Sequence, residues 1–181
     1  MTCIIGLVEG EAVYIGGDSA SAADWTLRAT SLCKVFRVGP FVIGYTDSFR
    51  MGQILQHHLE VRAQEEGESV DEFIVRAFVE AVRQCLKDHG YSKIENNVET
   101  GGAFLVGYRG RLFQICGDFQ ANTFIDQLDA VGAGFPFALG AMKALEHLPP
   151  VERITRALEI AAHFSNAVKG PFYILEGGVN V

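Results

Sequence analysis

A hydroxyl, a carboxylate and an ammonium group stand at Thr2, Asp18 and Lys34. Threonine is small enough for a preceding methionine to be removed, so the mature chain is expected to begin at Thr2, with a hydroxyl and a free α-amine on one residue. A threonine hydroxyl is a poor nucleophile at neutral pH and needs a base; an α-amine, with a pKa of about 7.7 to 8, is available there and is tethered beside it. The Lys34 ammonium, lying against the hydroxyl, would favour the alkoxide and depress the pKa of the amine, while Asp18 would hold Lys34 charged and oriented. Attack on a peptide carbonyl creates an oxyanion that needs preset donors, and the backbone N–H groups following Gly44 in FVIGYTDSFRMG are the natural source. Taken singly, these are a second residue, a turn cap and a strand lysine. Cys3 is the rival nucleophile, but it would need both Met1 and Thr2 removed, so it is expected to point away from Thr2 into sheet packing.

The chain that must position these groups has 181 residues, 49% of them hydrophobic, enough for one core and a single domain over residues 1–181. A formal charge of -7 gives nucleic acid or an anionic membrane nothing general to hold, and no apolar run reaches the length of a membrane span. Glu9 and Glu11 arrive before a leader-like stretch can form, which predicts a cytoplasmic protein. The four cysteines, at 3, 33, 85 and 116, have neither CxxC spacing nor matching histidine pairs, and they read as free thiols in a reducing cytosol. His57, His58, His89, His147 and His163 show no metal spacing, so neither metal nor cofactor is expected.

Two strand-like runs open the chain, Cys3 to Val8 and Ala12 to Gly16, split by the turn signal Glu9-Gly10-Glu11. A second pair, Cys33 to Val38 and Phe41 to Tyr45, flanks Gly39-Pro40, with a surface loop predicted over Ser19 to Ser31. From Ser48 the apolar period becomes helical through Leu59, and a second helix starts at Ser69, where Ser69 and Glu72 form a capping box. After the polar stretch Tyr91 to Thr100, strands resume at Ala103 to Tyr108 and Leu112 to Cys116, with another predicted near Thr123 to Ile125. Helices over Phe135 to His147 and Val151 to Asn166, divided by Pro149-Pro150, precede a last strand at Phe172 to Leu175.

GLVEGEAVYIGGD (Gly6 to Asp18) and VGYRGRLFQICGD (Val106 to Asp118) align without a gap, placing Asp18 on Asp118. The order strands, helices, strands, helices, strand predicts an α+β protein: a four-layer αββα sandwich of two mainly antiparallel sheets between helix pairs. Both sheets are then buried on both faces, which accounts for the near-continuous apolar run Cys3 to Val8.

A nucleophile at the chain end, an acid in GGDSAS where the first hairpin ends and a lysine in CKVFRV where the next strand opens resemble the proteasome β-subunit family of N-terminal-nucleophile hydrolases. The simple bacterial proteasome-like peptidases are the nearest in style. GAGFPFALGAM, Gly132 to Met142, is similar to that family's glycine-rich turn into a helix. The resemblance implies the N-terminal-nucleophile hydrolase fold and a threonine-type endopeptidase that forms an acyl-enzyme on Thr2. It implies an oxyanion donor at the Ser48 N–H, supporting positions at Ala133, Gly134 and Asn166, and a substrate pocket lined by Ser21, Leu32, Thr46 and Arg50. Thr46 at the pocket floor would admit an apolar side chain, and Arg50 could attract an acidic one. The implied partners are a peptide or unfolded-protein substrate, further copies in a homo-oligomeric ring and an ATP-dependent unfoldase.

Three departures stand out. Gly132-Ala133-Gly134 lacks the serine usual between two glycines, Asn166 and Lys169 replace an aspartate and a serine, and Asp47 and Ser48 replace glycines beside the oxyanion position. Because Thr2, Asp18 and Lys34 are all retained, an active peptidase is the favoured expectation. The alternatives are a catalytically inactive ring or assembly protein of the same fold and a small-molecule amidase.

Overall fold

The computed structural model describes residues 2–23 and 25–178, the side chain of Glu95 excepted. The expected removal of Met1 therefore concerns a residue outside the described range. The opening hairpin joins β1 (Ile4–Glu9) to β2 (Ala12–Gly17). Within the range expected as a loop, Ser19 to Ser31, β3 (Ala20–Ala23) instead pairs antiparallel with β4 (Thr26–Ala29). Its small and polar residues carry no alternation that would mark a strand. β5 (Val35–Val38) and β6 (Phe41–Tyr45) follow, then α1 (Phe49–His58), capped by the Ser48 hydroxyl, which accepts from the Arg50 and Met51 N–H groups.

The second helical segment begins at Ser69, whose hydroxyl accepts from Glu72 N–H at 3.2 Å. It runs from α2 (Val70–Phe73) through a π-helical stretch, Ile74–Phe78, into α3 (Val79–Asp88). The polar stretch after it holds another hairpin, β7 (Lys93–Glu95) and β8 (Val98–Thr100), turning on Asn96 and Asn97 at φ 50° and 64°. That is the residue type which tolerates the left-handed region.

The second half comprises β9 (Phe104–Tyr108), β10 (Arg111–Ile115), β11 (Ala121–Asn122), β12 (Leu128–Val131), α4 (Phe135–Ala144), α5 (Pro150–Phe164) and β13 (Tyr173–Gly177). The strand expected at Thr123 to Ile125 is absent; its place is taken by β11 just before and β12 just after. Residues 123–125 sit in the connecting loop, where Ile125 is fully exposed.

Two sheets form the body, ordered β12-β1-β2-β13 and β11-β10-β9-β6-β5, and every pairing within them is antiparallel. Ile4, Val13, Ile15, Val35, Val42 and Leu105 fill the space between the sheets. On the outer face of the five-stranded sheet, Phe41, Phe104 and Phe113 pack with Ile54, Phe73, Phe78 and Leu86 of the first helices. On the other outer face Ile5 and Leu7 meet Met142, Ile154 and Leu158 of α4 and α5. The expected αββα order is thus the observed one. Among the described residues no helix is long and apolar enough to cross a membrane.

Candidate active site

Burial of the first strand on both faces carries the start of the chain into the molecule. The Thr2 carbonyl accepts the Gly134 N–H at 3.2 Å, and Asp18 N–H donates to the Cys3 carbonyl at 3.2 Å. Gly132, at φ 92°, lies so close to the Thr2 carbonyl that a Cβ there would overlap the Thr2 oxygen. A side chain at this turn is excluded by both conformation and space.

Lys34 stands just before β5 and Asp18 just after β2. The Lys34 Nζ lies 3.0 Å from Thr2 Oγ1 and 2.9 Å from Asp18 Oδ1. All three residues are buried, at 4% exposure for Thr2, 2% for Lys34 and 1% for Asp18. Such burial is tolerated only when each charge is paired and each polar atom bonded. Asp18 meets that condition with four donors: besides Lys34, its Oδ1 accepts Cys3 N–H at 3.0 Å, and its Oδ2 accepts Ala20 N–H at 2.7 Å and Lys169 N–H at 3.2 Å. Burial pushes the Lys34 ammonium below its ordinary pKa, while the charge and hydrogen bond of Asp18 oppose the drop. The Cys3 thiol is pushed up to about 12 by burial and by Asp18, against the pull of Lys34, and it packs among the residues of α4 and α5. A thiol so raised carries almost no thiolate at neutral pH.

Thr2 and Lys34 open into a cleft of about 160 Å³ with Ala20, Ala22, Tyr45, Thr46, Asp47, Ser48 and Phe49 on its walls. Of the expected pocket residues, Thr46 lies on this wall. Ser21, Leu32 and Arg50 do not. Because residues 20–23 form a strand, alternate side chains point the same way, and Ala20 and Ala22 face the cleft where Ser21 does not. Leu32 is 42% exposed outside it, and Arg50 points to solvent from the first turn of α1. Tyr45 and Phe49, which the sequence reading missed, make an edge-to-face pair at 6.4 Å, and the Phe49 ring lies 5.8 Å from Lys34 Nζ. An aromatic directly after the helix cap was the available signal.

The expected oxyanion donor is present in the cleft but engaged. Ser48 N–H donates to the Thr46 carbonyl at 2.8 Å across Asp47, whose φ is 65°. The supporting positions divide. Gly134 holds Thr2 through its backbone, Ala133 is exposed, and Asn166 is exposed on the turn after α5. It is the Lys169 amide from that turn that reaches Asp18. Among the described residues no cluster of three or more histidine, cysteine or carboxylate side chains could hold a metal ion.

No family model matches the chain. A curated relative, the ATP-dependent protease subunit HslV of Caldicellulosiruptor saccharolyticus, is 25% identical over 97% of this chain and 97% of its own length. Among solved structures, Thiobacillus denitrificans BPH in complex with epoxomicin superposes with a TM-score of 0.77 at 20% identity, covering 99% of this chain and all of that one. Eukaryotic HslV from Trypanosoma brucei superposes with a TM-score of 0.69 at 20% identity, covering 96% of this chain and 98% of that one. The chain is thus similar, over nearly its whole length, to proteasome-type N-terminal-nucleophile peptidases. Likeness to the solved structures establishes the fold, and the HslV relative is matched nearly end to end. Gly132–Gly134 is the turn against which Thr2 and Cys3 lie.

Proposed function

We propose that the protein is a threonine peptidase whose nucleophile is the Thr2 hydroxyl, exposed beside a free α-amine once Met1 is removed. The carrying observation is the single Lys34 ammonium held between Thr2 Oγ1 and Asp18 Oδ1 at the base of a cleft. The α-amine takes the hydroxyl proton as Oγ1 attacks a peptide carbonyl. The tetrahedral intermediate then expels the amine product, which receives that proton, and leaves an ester on Thr2. Water, deprotonated by the same α-amine, hydrolyses the ester and regenerates the hydroxyl. Lys34 stabilises the developing alkoxide and Asp18 fixes Lys34; Ser48 N–H, once turned toward the site, serves the oxyanion.

The walls supplied by Tyr45, Phe49, Ala20 and Ala22 favour an apolar side chain next to the scissile bond. The substrate is a peptide or an unfolded protein. The relation to HslV, an ATP-dependent protease subunit by name, supports assembly into a homo-oligomeric ring in the cytoplasm with an ATP-driven unfoldase as partner. Hydrolysis of fluorogenic peptides with apolar residues before the cleaved bond tests this reading. Activity is expected in the native chain, retained in part by Thr2→Ser and abolished by Thr2→Ala. Equal turnover by Thr2→Ala would refute it.

A further inference from the structure

The engaged Ser48 N–H has a structural cause in the sheet beside it. β6 and β9 pair antiparallel, with Gly44 opposite Leu105 and Tyr45 opposite Phe104, so Thr46 comes next opposite Ala103. A hydrogen-bonded pair in such a ladder exchanges two N–H···O bonds. Here one is made, Thr46 N–H to the Ala103 carbonyl at 3.3 Å. The return bond is not: Ala103 N–H donates to Asp47 Oδ2 at 2.8 Å instead. The Thr46 carbonyl, relieved of its ladder partner, accepts Ser48 N–H at 2.8 Å. The turn that allows this places Asp47 at φ 65°, a region costly for a side-chain-bearing residue and more tolerable for aspartate than for alanine.

We infer that Asp47 is a positioning residue for the reaction: by substituting its carboxylate for the Thr46 carbonyl in the sheet ladder, it withholds the Ser48 N–H from the cleft. In the exchanged arrangement Ala103 N–H returns to the Thr46 carbonyl, the turn relaxes, the Asp47 carboxylate moves into water, and Ser48 N–H faces the substrate carbonyl. One acceptor swap thus couples the sheet edge to the oxyanion site. A substrate carbonyl favours the exchanged state because only that state offers it the donor. Asp47 and Ser48 line the same cleft as Thr2 and Lys34, so the swap happens within reach of the reacting atoms.

This inference rests on the reading of Thr2 as nucleophile, and its test separates the two. The rate at which a peptide epoxyketone modifies Thr2, by addition of Oγ1 to its ketone and opening of its epoxide by the α-amine, is measured for the native chain, Asp47→Ala, Asp47→Gly and Asp47→Asn. Alanine and glycine remove the acceptor, and the limiting rate of modification is expected to rise about fivefold or more, with the half-saturating concentration nearly unchanged. Asparagine removes the charge but keeps an acceptor oxygen, and it is expected to behave as the native chain. Amide hydrogen exchange in the Thr2→Ala background gives a readout independent of chemistry: Ser48 N–H loses protection with Asp47→Ala and keeps it with Asp47→Asn. Native and alanine chains labelling at the same rate would overturn the inference, as would asparagine matching alanine, which assigns the effect to charge alone. No labelling of Thr2 in any chain would bring down the nucleophile reading, and this inference with it.

Discussion

Two hairpins of this molecule, β1–β2 and β9–β10, carry sequences that align residue for residue, yet they end in different fates. In the first, Glu9 pairs with Ala12 around Gly10-Glu11, with Gly10 at φ 63° as the first turn residue. In the second, Tyr108 pairs with Arg111 around Arg109-Gly110, both at positive φ, 44° and 71°, so the aligned glycine is now the second turn residue. The strand partners slide by two positions: Ile15 opposes Gly6, whereas Ile115 opposes Phe104 rather than Val106. Asp18 is consequently buried under the start of the chain with four donors, while Asp118 is exposed and accepts one local bond, from Gln120 N–H at 3.2 Å. An aspartate after a strand is a turn cap by default. Asp18 departs from that default because Lys34 and the Cys3 amide converge on it.

Removing each aspartate in turn should widen that contrast. Asp18→Ala leaves the Lys34 ammonium buried without its counter-charge, and Lys34→Met does the converse to Asp18; each is expected to cost about 3–5 kcal/mol in chemical denaturation and to abolish peptide hydrolysis. Asp118→Ala should cost less than about 1 kcal/mol and leave hydrolysis intact. Comparable losses from the two aspartates would erase the distinction.

A third carboxylate sharpens the comparison from inside the same sheet. Asp129 in β12 pairs with Gly6 and is 6% exposed, and its Oδ2 has no hydrogen-bond partner. Burial raises its pKa from 3.8 to about 6. The folded state therefore binds this proton more readily than the unfolded chain, so the group destabilises the fold above about pH 6, and that penalty disappears as the pH falls toward 4. Asp129→Asn is expected to raise stability at pH 8 by up to about 3 kcal/mol, and the gain should vanish near pH 4. A constant gain across that range would show that ionisation is not the cause.

The smallest effect concerns the turns themselves. Arg109 occupies a left-handed position where asparagine is favoured, so Arg109→Asn should stabilise by roughly 0.5 kcal/mol with no change in hydrolysis. A destabilised variant would mean that the arginine side chain, 5.6 Å from the centre of the Tyr108 ring, contributes more than the backbone loses.

What could be read from the sequence were features written in side chains. The apolar runs of β1, β2, β6 and β9, the helical stripes after Ser48 and Ser69 and the four-layer order they imply all follow from period and burial. The trio of Thr2, Asp18 and Lys34 was nameable because each carries a distinctive group. The β3–β4 hairpin was hidden because Ala20–Ala23 is built of small residues without large apolar side chains, and the pairing that turns Ala20 and Ala22 to the cleft left no signal. Backbone directions left less mark: Gly134 and Ser48 were nameable, but the Lys169 amide on Asp18 and the engagement of Ser48 N–H by the Thr46 carbonyl depend on chain path. The substitution of Asp47 for a glycine was visible, but its bond to Ala103 required knowing which strand lay beside it.

The most direct test of the central claim is the intact mass of the purified protein before and after incubation with a peptide epoxyketone, with the modified residue mapped by fragmentation. Loss of one methionine and a single adduct confined to Thr2, absent from Thr2→Ala, is the predicted result. A chain that keeps Met1 and takes up no adduct, or one modified at another residue, would contradict it.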